Sequence, residues 1–137
     1  MNVNPYLFFN GKCEEALQFY KSAIDAKVGM VMRFKKSPET SPGCTPSDGN
    51  KIMHACINVG DSPIMASDGM NNGTPNFDGF AISINVADVA QVDRYYNALA
   101  DGGAAVQAPT ETFFAKKFAM VKDKFGVHWM VIAPKPM

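Results

Sequence analysis

Residues 6–25, "YLFFNGKCEEALQFYKSAID", and residues 82–101, "ISINVADVAQVDRYYNALAD", decide the fold. Laid together at an offset of 76 positions they follow one order: strand, turn, helix with an aromatic pair, acidic end. Phe8 falls on Ile84, Phe19-Tyr20 on Tyr95-Tyr96, and Asp25 on Asp101. Two such units, one in each half, predict an internal duplication of roughly 60 residues per copy.

Both helices are amphipathic. The first puts Cys13, Ala16, Leu17, Tyr20 and Ile24 on one face and Glu14, Gln18, Lys21 and Asp25 on the other. In the second, Asp88 suits the N-cap, with Gln91 three residues on as a capping-box relative. Val89, Val92, Tyr96 and Leu99 recur at helical spacing, and Gly102-Gly103 stops the run. Three strand-like runs follow each helix: "KVGMVMRFKK", "KIMHACINVG" and "SPIMASD", then "AAVQAPT", "AKKFAMVKD" and "VHWMVIA". Each half therefore reads βαβββ. The expected class is α+β: one domain, 1–137, of two modules at about 1–70 and 79–137. The linker is "GMNNGTPNFDG"; the first half also carries an insert at 37–50, "SPETSPGCTPSDGN", whose three prolines and two glycines mark a loop of the length that often covers a site.

A chain of 137 residues buries roughly 65–70% of its unfolded surface, enough for a real core. With 47% hydrophobic and 19% charged residues, disorder is excluded. Zero net charge and the lack of a Lys/Arg block argue against nucleic acid or an anionic membrane as partner. No apolar run approaches the ~20 residues of a transmembrane helix. The start "MNVNPYLFFN" lacks the basic region of a signal peptide. Cys13, Cys44 and Cys56 fit neither a zinc motif nor a complete disulfide set, which suits free thiols in a reducing cytoplasm.

A helix covers one face of its sheet, and alternation sorts the side chains. Phe80, Ile82, Ile84 and Val86 are expected against the second helix, with Ala81, Ser83 and Asn85 turned away. At the same offset, Tyr6 and Phe8 meet the first helix, while Pro5, Leu7 and Phe9 turn away. Met53, Ala55, Ile57 and Val59 form an apolar stripe opposite His54, Cys56 and Asn58. Val28, Met30, Met32 and Phe34 pack, and Arg33 and Lys35 do not. The expected cleft is lined by Phe9, Arg33, His54, Cys56, Asn58, Ser83, Asn85, His128 and Met130. The final strand aims His128 and Met130 at it and Trp129 at the second helix.

His54 and Cys56 share a face, so an imidazole-activated thiolate is conceivable, yet no third, orienting group is evident; an unreactive pocket wall is the plainer reading. Arg33 can hold an anion bidentately, although an exposed strand arginine is the commoner case. Asp68 in "MASDG" initiates a turn or faces a ligand. The nine methionines suit plastic core filling better than a thioether metal site. Neither G-x-G-x-x-G, G-x-x-x-x-G-K-[ST] nor a G-x-S-x-G elbow occurs.

The segments "PYLFFNGKCEEALQFYKSAI", "IMHACINVGDSPIMASD" and "DKFGVHWMVI" resemble the vicinal oxygen chelate superfamily, the group of glyoxalase I, extradiol dioxygenases and fosfomycin and bleomycin resistance proteins, and within it the PhnB-like branch. The resemblance covers nearly the whole chain. It implies two βαβββ modules in a cup-shaped mixed sheet with the helices outside, and a homodimer. It also implies metal ligands on the first strand of each half and a glutamate on the last strand. Carried over, those positions fall on Pro5, Ala81 and Met130, which offer a ring, a methyl group and a soft thioether. The expectation is therefore a cytosolic binder of an unidentified small molecule, with no metal and no cofactor. A metal-dependent lyase, isomerase or dioxygenase-like enzyme is the alternative, and a drug-sequestering protein of the resistance type is a third reading. Methyl transfer, a label carried by some PhnB-like proteins, lacks a glycine-rich donor site in this sequence.

Overall fold

The strands and helices fall where the two periodicities put them. The structure, a computed structural model, describes residues 1–34, 50–69 and 75–136. The insert at 37–49, with Cys44, lies outside the described residues. In order, the elements are β1 (Tyr6–Phe8), α1 (Cys13–Ala23), β2 (Lys27–Arg33), β3 (Ile52–Val59) and β4 (Ser62–Ser67). There follow β5 (Ile82–Asn85), α2 (Val89–Ala100), β6 (Ala104–Thr110), β7 (Ala115–Lys122) and β8 (His128–Pro134). The chain divides into two compact units, Met1–Pro75 and Asn76–Met137, each βαβββ. The first holds a four-stranded sheet in the order β1-β4-β3-β2, the second one in the order β5-β8-β7-β6. In each, the strand before the helix pairs parallel with the last strand, and the other pairings are antiparallel. The class is α+β with mixed sheets.

In the first unit α1 buries Cys13, Ala16, Leu17 and Tyr20, with Ile24 just beyond its end, the face its spacing predicts. Opposite lie Leu7, Ala55, Ile57, Ile64 and Ala66, all under 4% exposed. Register explains their grouping, because residues paired across strands share a face: Leu7 pairs with Ala66, Ala66 with Ala55, and Ile57 with Ile64. In the second unit α2 buries Val92, Tyr95 and Leu99. Asp88 caps it as expected, its carboxylate accepting from Ala90 N at 2.9 Å. Gly102, at φ +77°, ends the run. Ala119, Val121, Trp129, Val131 and Ala133 form the matching sheet face, fully buried. Gly103 has a second reason to be glycine: an added Cβ would stand 2.2 Å from the Lys122 carbonyl oxygen.

Three facing expectations are corrected. On β1 the order is inverted: Leu7 and Phe9 are 2% exposed, whereas Tyr6 and Phe8 are 39% and 54% exposed. Phe9 packs inward, its ring 6.3 Å from that of Tyr20, and does not line an open face. The reason is parity. The buried tyrosines are Tyr20 and Tyr95, so the helices superpose at an offset of 75, not 76. A shift of one residue moves every strand side chain to the other face. For the same reason Tyr95 replaces Tyr96 in the core, and Tyr6 replaces Pro5 as the counterpart of Ala81.

The second correction lies on β2. Its pairing with β3 shifts between Val28 and Val31 and again between Met32 and Arg33. Such an irregularity changes which side chains face the helix. Val28 and Val31 pair with the buried Ile57 and Ala55, Met32 pairs with His54, and Met30 is 52% exposed rather than packed. Arg33 pairs with the buried Ile52 and reaches Glu14 of α1 in an ion pair. It therefore belongs to the helix side, away from His54. The third correction is smaller: Phe80, which precedes β5, and Val89, the first residue of α2, both expected against the core, are 49% and 41% exposed.

Candidate functional site

The face of each sheet turned away from its helix is where ligand chemistry can sit, and each is built by register. In the first unit Cys56 pairs with Met65, and Met65 with Tyr6, forming one row. His54 pairs with Met32 and Asn58 with Pro63, extending it. His54, Cys56 and Asn58 are all half-buried, on the side opposite Ala55 and Ile57. Tyr6 Oη is hydrogen-bonded to His54 Nδ1 at 2.8 Å. The Tyr6 ring lies 4.9 Å from Phe8 and 5.5 Å from His54, centroid to centroid. Phe8 in turn stands over Gly69, whose added Cβ would meet it at 3.0 Å. The result is a partly exposed aromatic platform with one polar edge.

The Cys56 thiol donates weakly to its neighbour's carbonyl, Ile57 O, at 3.9 Å, while Nδ1 of His54 is engaged by a phenol. That arrangement does not build a thiolate–imidazole pair. Cys13, the first residue of α1, is fully buried; burial pushes its thiol far above the usual range, and the Asp68 and Glu14 carboxylates push further, which disfavours the thiolate.

In the second unit Ser83 pairs with Met130 and Asn85 with Ile132, and His128 pairs with Lys122 across β7–β8. Ser83 and Asn85 are exposed; His128 and Met130 are half-buried. Trp129 is fully buried on the helix side, its Nε1 donating to Asp123 Oδ2 at 2.8 Å. His128 Nε2 lies 3.0 Å from Asp78 Oδ1, and Lys122 Nζ lies 3.9 Å from the same oxygen. The hydrogen bond from His128, and then the Lys122 charge, hold the Asp78 carboxyl below its usual range.

Asp68 turns inward and not toward a ligand, and Gly69 directly after it stands in a turn at φ +72°. Asp68 is 4% exposed, and its carboxylate accepts from Gly11 N at 2.7 Å, Cys13 N at 2.9 Å and Ile52 N at 2.7 Å. A residue at the end of β4 thus caps α1 and ties it to the start of β3. Both strand-to-helix turns of the chain, β1–α1 and β5–α2, are consequently closed by a carboxylate on the first amides. Sequence reasoning placed His54, Cys56, Asn58, Ser83, Asn85, His128 and Met130 on the faces where they stand. It missed Tyr6, Phe8, Met65 and Asp78. Tyr6 and Phe8 needed the correct parity, and Asp78 lies in the linker, where no periodic signal exists.

The positions where the resemblance implies metal ligands are occupied here as follows. Ala81 offers a methyl and Met130 a thioether, while the Tyr6 phenol is bonded to His54. Among the described residues no group of three or more His, Cys, Asp or Glu could hold a metal ion. Nor is any helix among them long and apolar enough to cross a membrane.

Residues 1–132 match the model of the family described as 3-demethylubiquinone-9 3-methyltransferase. Protein YjdN of Escherichia coli K12 is 33% identical over 138 residues, covering 96% of this chain and 94% of that one. The crystal structure of protein PA1353 from Pseudomonas aeruginosa is similar at TM-score 0.83 and 38% identity, over 96% of both chains. A PhnB protein from Bacillus cereus, described as a 3-demethylubiquinone-9 3-methyltransferase, shares the fold at TM-score 0.77 and 24% identity, over 96% of this chain and 98% of its own. More distant structures, at 17% and 9% identity, extend the same fold to the glyoxalase/bleomycin resistance/dioxygenase group.

Proposed function

This chain belongs to the family described as 3-demethylubiquinone-9 3-methyltransferase, the PhnB-like branch of the vicinal oxygen chelate fold, and from that premise we propose that it binds a small organic molecule without the metal ion of its metal-using relatives. The observation that carries this reading is the Tyr6–His54 hydrogen bond beside Phe8, on a sheet face where Met32 and Met65 add pliable apolar surface. Rigid rings, soft thioethers and a few fixed polar atoms are the usual composition of a ligand site. Within the second unit, the corresponding face carries Ser83, Asn85, His128 and Met130. The same reading takes residues 1–137 as one domain in a cytoplasmic homodimer, with neither nucleic acid nor membrane as partner. Zero net charge supports the exclusion of nucleic acid and anionic membrane.

Methyl transfer, the activity in the family's description, is not part of the proposal. A sulfonium donor is commonly held at a glycine-rich strand-to-helix turn, and neither such turn among the described residues is glycine-rich: the first holds Gly11 alone and the second no glycine.

The test is a thermal-shift screen of metabolites and aromatic drugs, followed by calorimetry on the hits. Tyr6→Ala and His54→Ala are each expected to weaken a hit by roughly tenfold, the size of one lost hydrogen-bonded ring contact. Titration with Mn, Ni, Fe and Zn is the opposing arm. Submicromolar, stoichiometric uptake abolished by His54→Ala would replace the binder reading with a metal-dependent lyase, isomerase or dioxygenase.

A further inference from the structure

The chain has two histidines, and their partners differ in kind. His54 meets a phenol, which both donates and accepts. His128 meets a carboxylate, which when ionised only accepts. Nε2 of His128 must therefore carry the proton in that bond, and Nδ1 keeps its lone pair whenever the ring is neutral. The Asp78 carboxyl, held below its usual range, remains ionised around neutral pH.

The surroundings of His128 suit a proton acceptor. Its side chain is 24% exposed, so the ring is sheltered yet reachable. Lys122, from β7, stands opposite it and 3.9 Å from the Asp78 oxygen. On the other side β5 presents its polar row, Ser83 and Asn85, and no charged side chain. Among the described residues, the charged groups bonded to or paired with His128 are the Asp78 carboxylate and the Lys122 ammonium.

We propose that Asp78 and His128 form a proton-accepting dyad on the second unit, acting on a ligand that carries an acidic O–H or a C–H next to a carbonyl. In the step, the ligand's proton moves to Nδ1 of His128. The electron pair of the broken bond stays on the ligand as an alkoxide or enolate. Nε2–H remains bonded to Asp78, whose negative charge faces the imidazolium that forms, and the Lys122 ammonium adds positive charge on the same face. Asp78 is a positioning residue here: it fixes which nitrogen is bare and touches no ligand atom.

The experiment needs no ligand, so its failure is distinct from failure of the binding reading. Diethyl pyrocarbonate acylates an unprotonated imidazole nitrogen. In the His54→Gln background His128 is the one histidine, and nuclear magnetic resonance distinguishes the two acylated nitrogens. Acylation at Nδ1 is expected. Adding Asp78→Ala should cut the Nδ1 product at least fivefold and bring up the Nε2 product. Asp78→Asn, which keeps an acceptor oxygen, should restore the Nδ1 preference. Dominant Nε2 acylation with Asp78 intact, or a product ratio indifferent to Asp78→Ala, overturns the dyad. Carboxyl titration by the same method is the second reading. His128→Gln should raise the Asp78 midpoint, and an unchanged midpoint also overturns the pairing.

Discussion

The two units share a plan and lock it differently. In the second, α2 is capped by its own neighbour: Asp88, directly before the helix, accepts from Ala90 N. In the first, Lys12 occupies the N-cap and makes no side-chain capping bond. The cap comes from Asp68, 55 residues along the chain, which also holds Gly11 and Ile52. A local cap stabilises one helix. A remote cap welds a helix, a turn and a strand, so its loss is felt by the whole unit. The second unit's multiply bonded carboxylate is local: at its hairpin Asp123 accepts from Phe125 N, Val127 N and the Trp129 indole, all within six residues.

The largest expected effect comes from breaking the remote cap. Asp68→Ala leaves three amides around a nearly buried site without an acceptor and should cost about 4 kcal/mol. Asp68→Asn keeps one acceptor oxygen and should cost about half of that. Chemical denaturation of both variants checks this, and equal losses in the two would sink the account. Next is Asp123→Ala, at about 3 kcal/mol, because a buried indole N–H and two loop amides lose their partner. Trp129, the one tryptophan in the chain, should report it as a changed fluorescence maximum in the folded state. Asp88→Ala should cost only about 1 kcal/mol, the ordinary value of a local N-cap. A loss at Asp88 as large as that at Asp68 would erase the contrast between the units.

The smallest effect is the pH dependence of Asp78. Its folded-state carboxyl titrates below the ordinary value of 3.8, chiefly through the bond from His128. A depressed carboxyl stabilises the fold above the unfolded value and loses that contribution as pH falls through the folded one. Asp78→Asn should therefore melt slightly below the parent at pH 5–7, and the difference should shrink as pH falls through the folded carboxyl's midpoint. A gap that widens in acid would contradict the assigned sign.

Much of this was legible in the sequence. The βαβββ order, the face of α1, the Asp88 cap and the glycine stop after α2 all follow from local spacing. So did the siding of His54, Cys56 and Asn58, because β3 alternates from His54 to Asn58, with Ala55 and Ile57 buried between them. Phe9 and Arg33 failed for one physical cause in two forms. A strand has period two, so one miscounted residue, by offset on β1 or by a shift in pairing on β2, reverses inside and outside. The helices tolerated the same slip because a helical face spans about 100° and a neighbouring residue still grazes it.

Local spacing alone thus determined that this polypeptide makes two strand–helix–three-strand units. Only tertiary structure decided which aromatic rings face outward, that Asp68 reaches back to cap α1, and that Asp78 finds His128. Those outcomes depend on hydrogen bonds between residues some fifty positions apart. No window of sequence contains both partners, and their meeting is set by the register of whole strands.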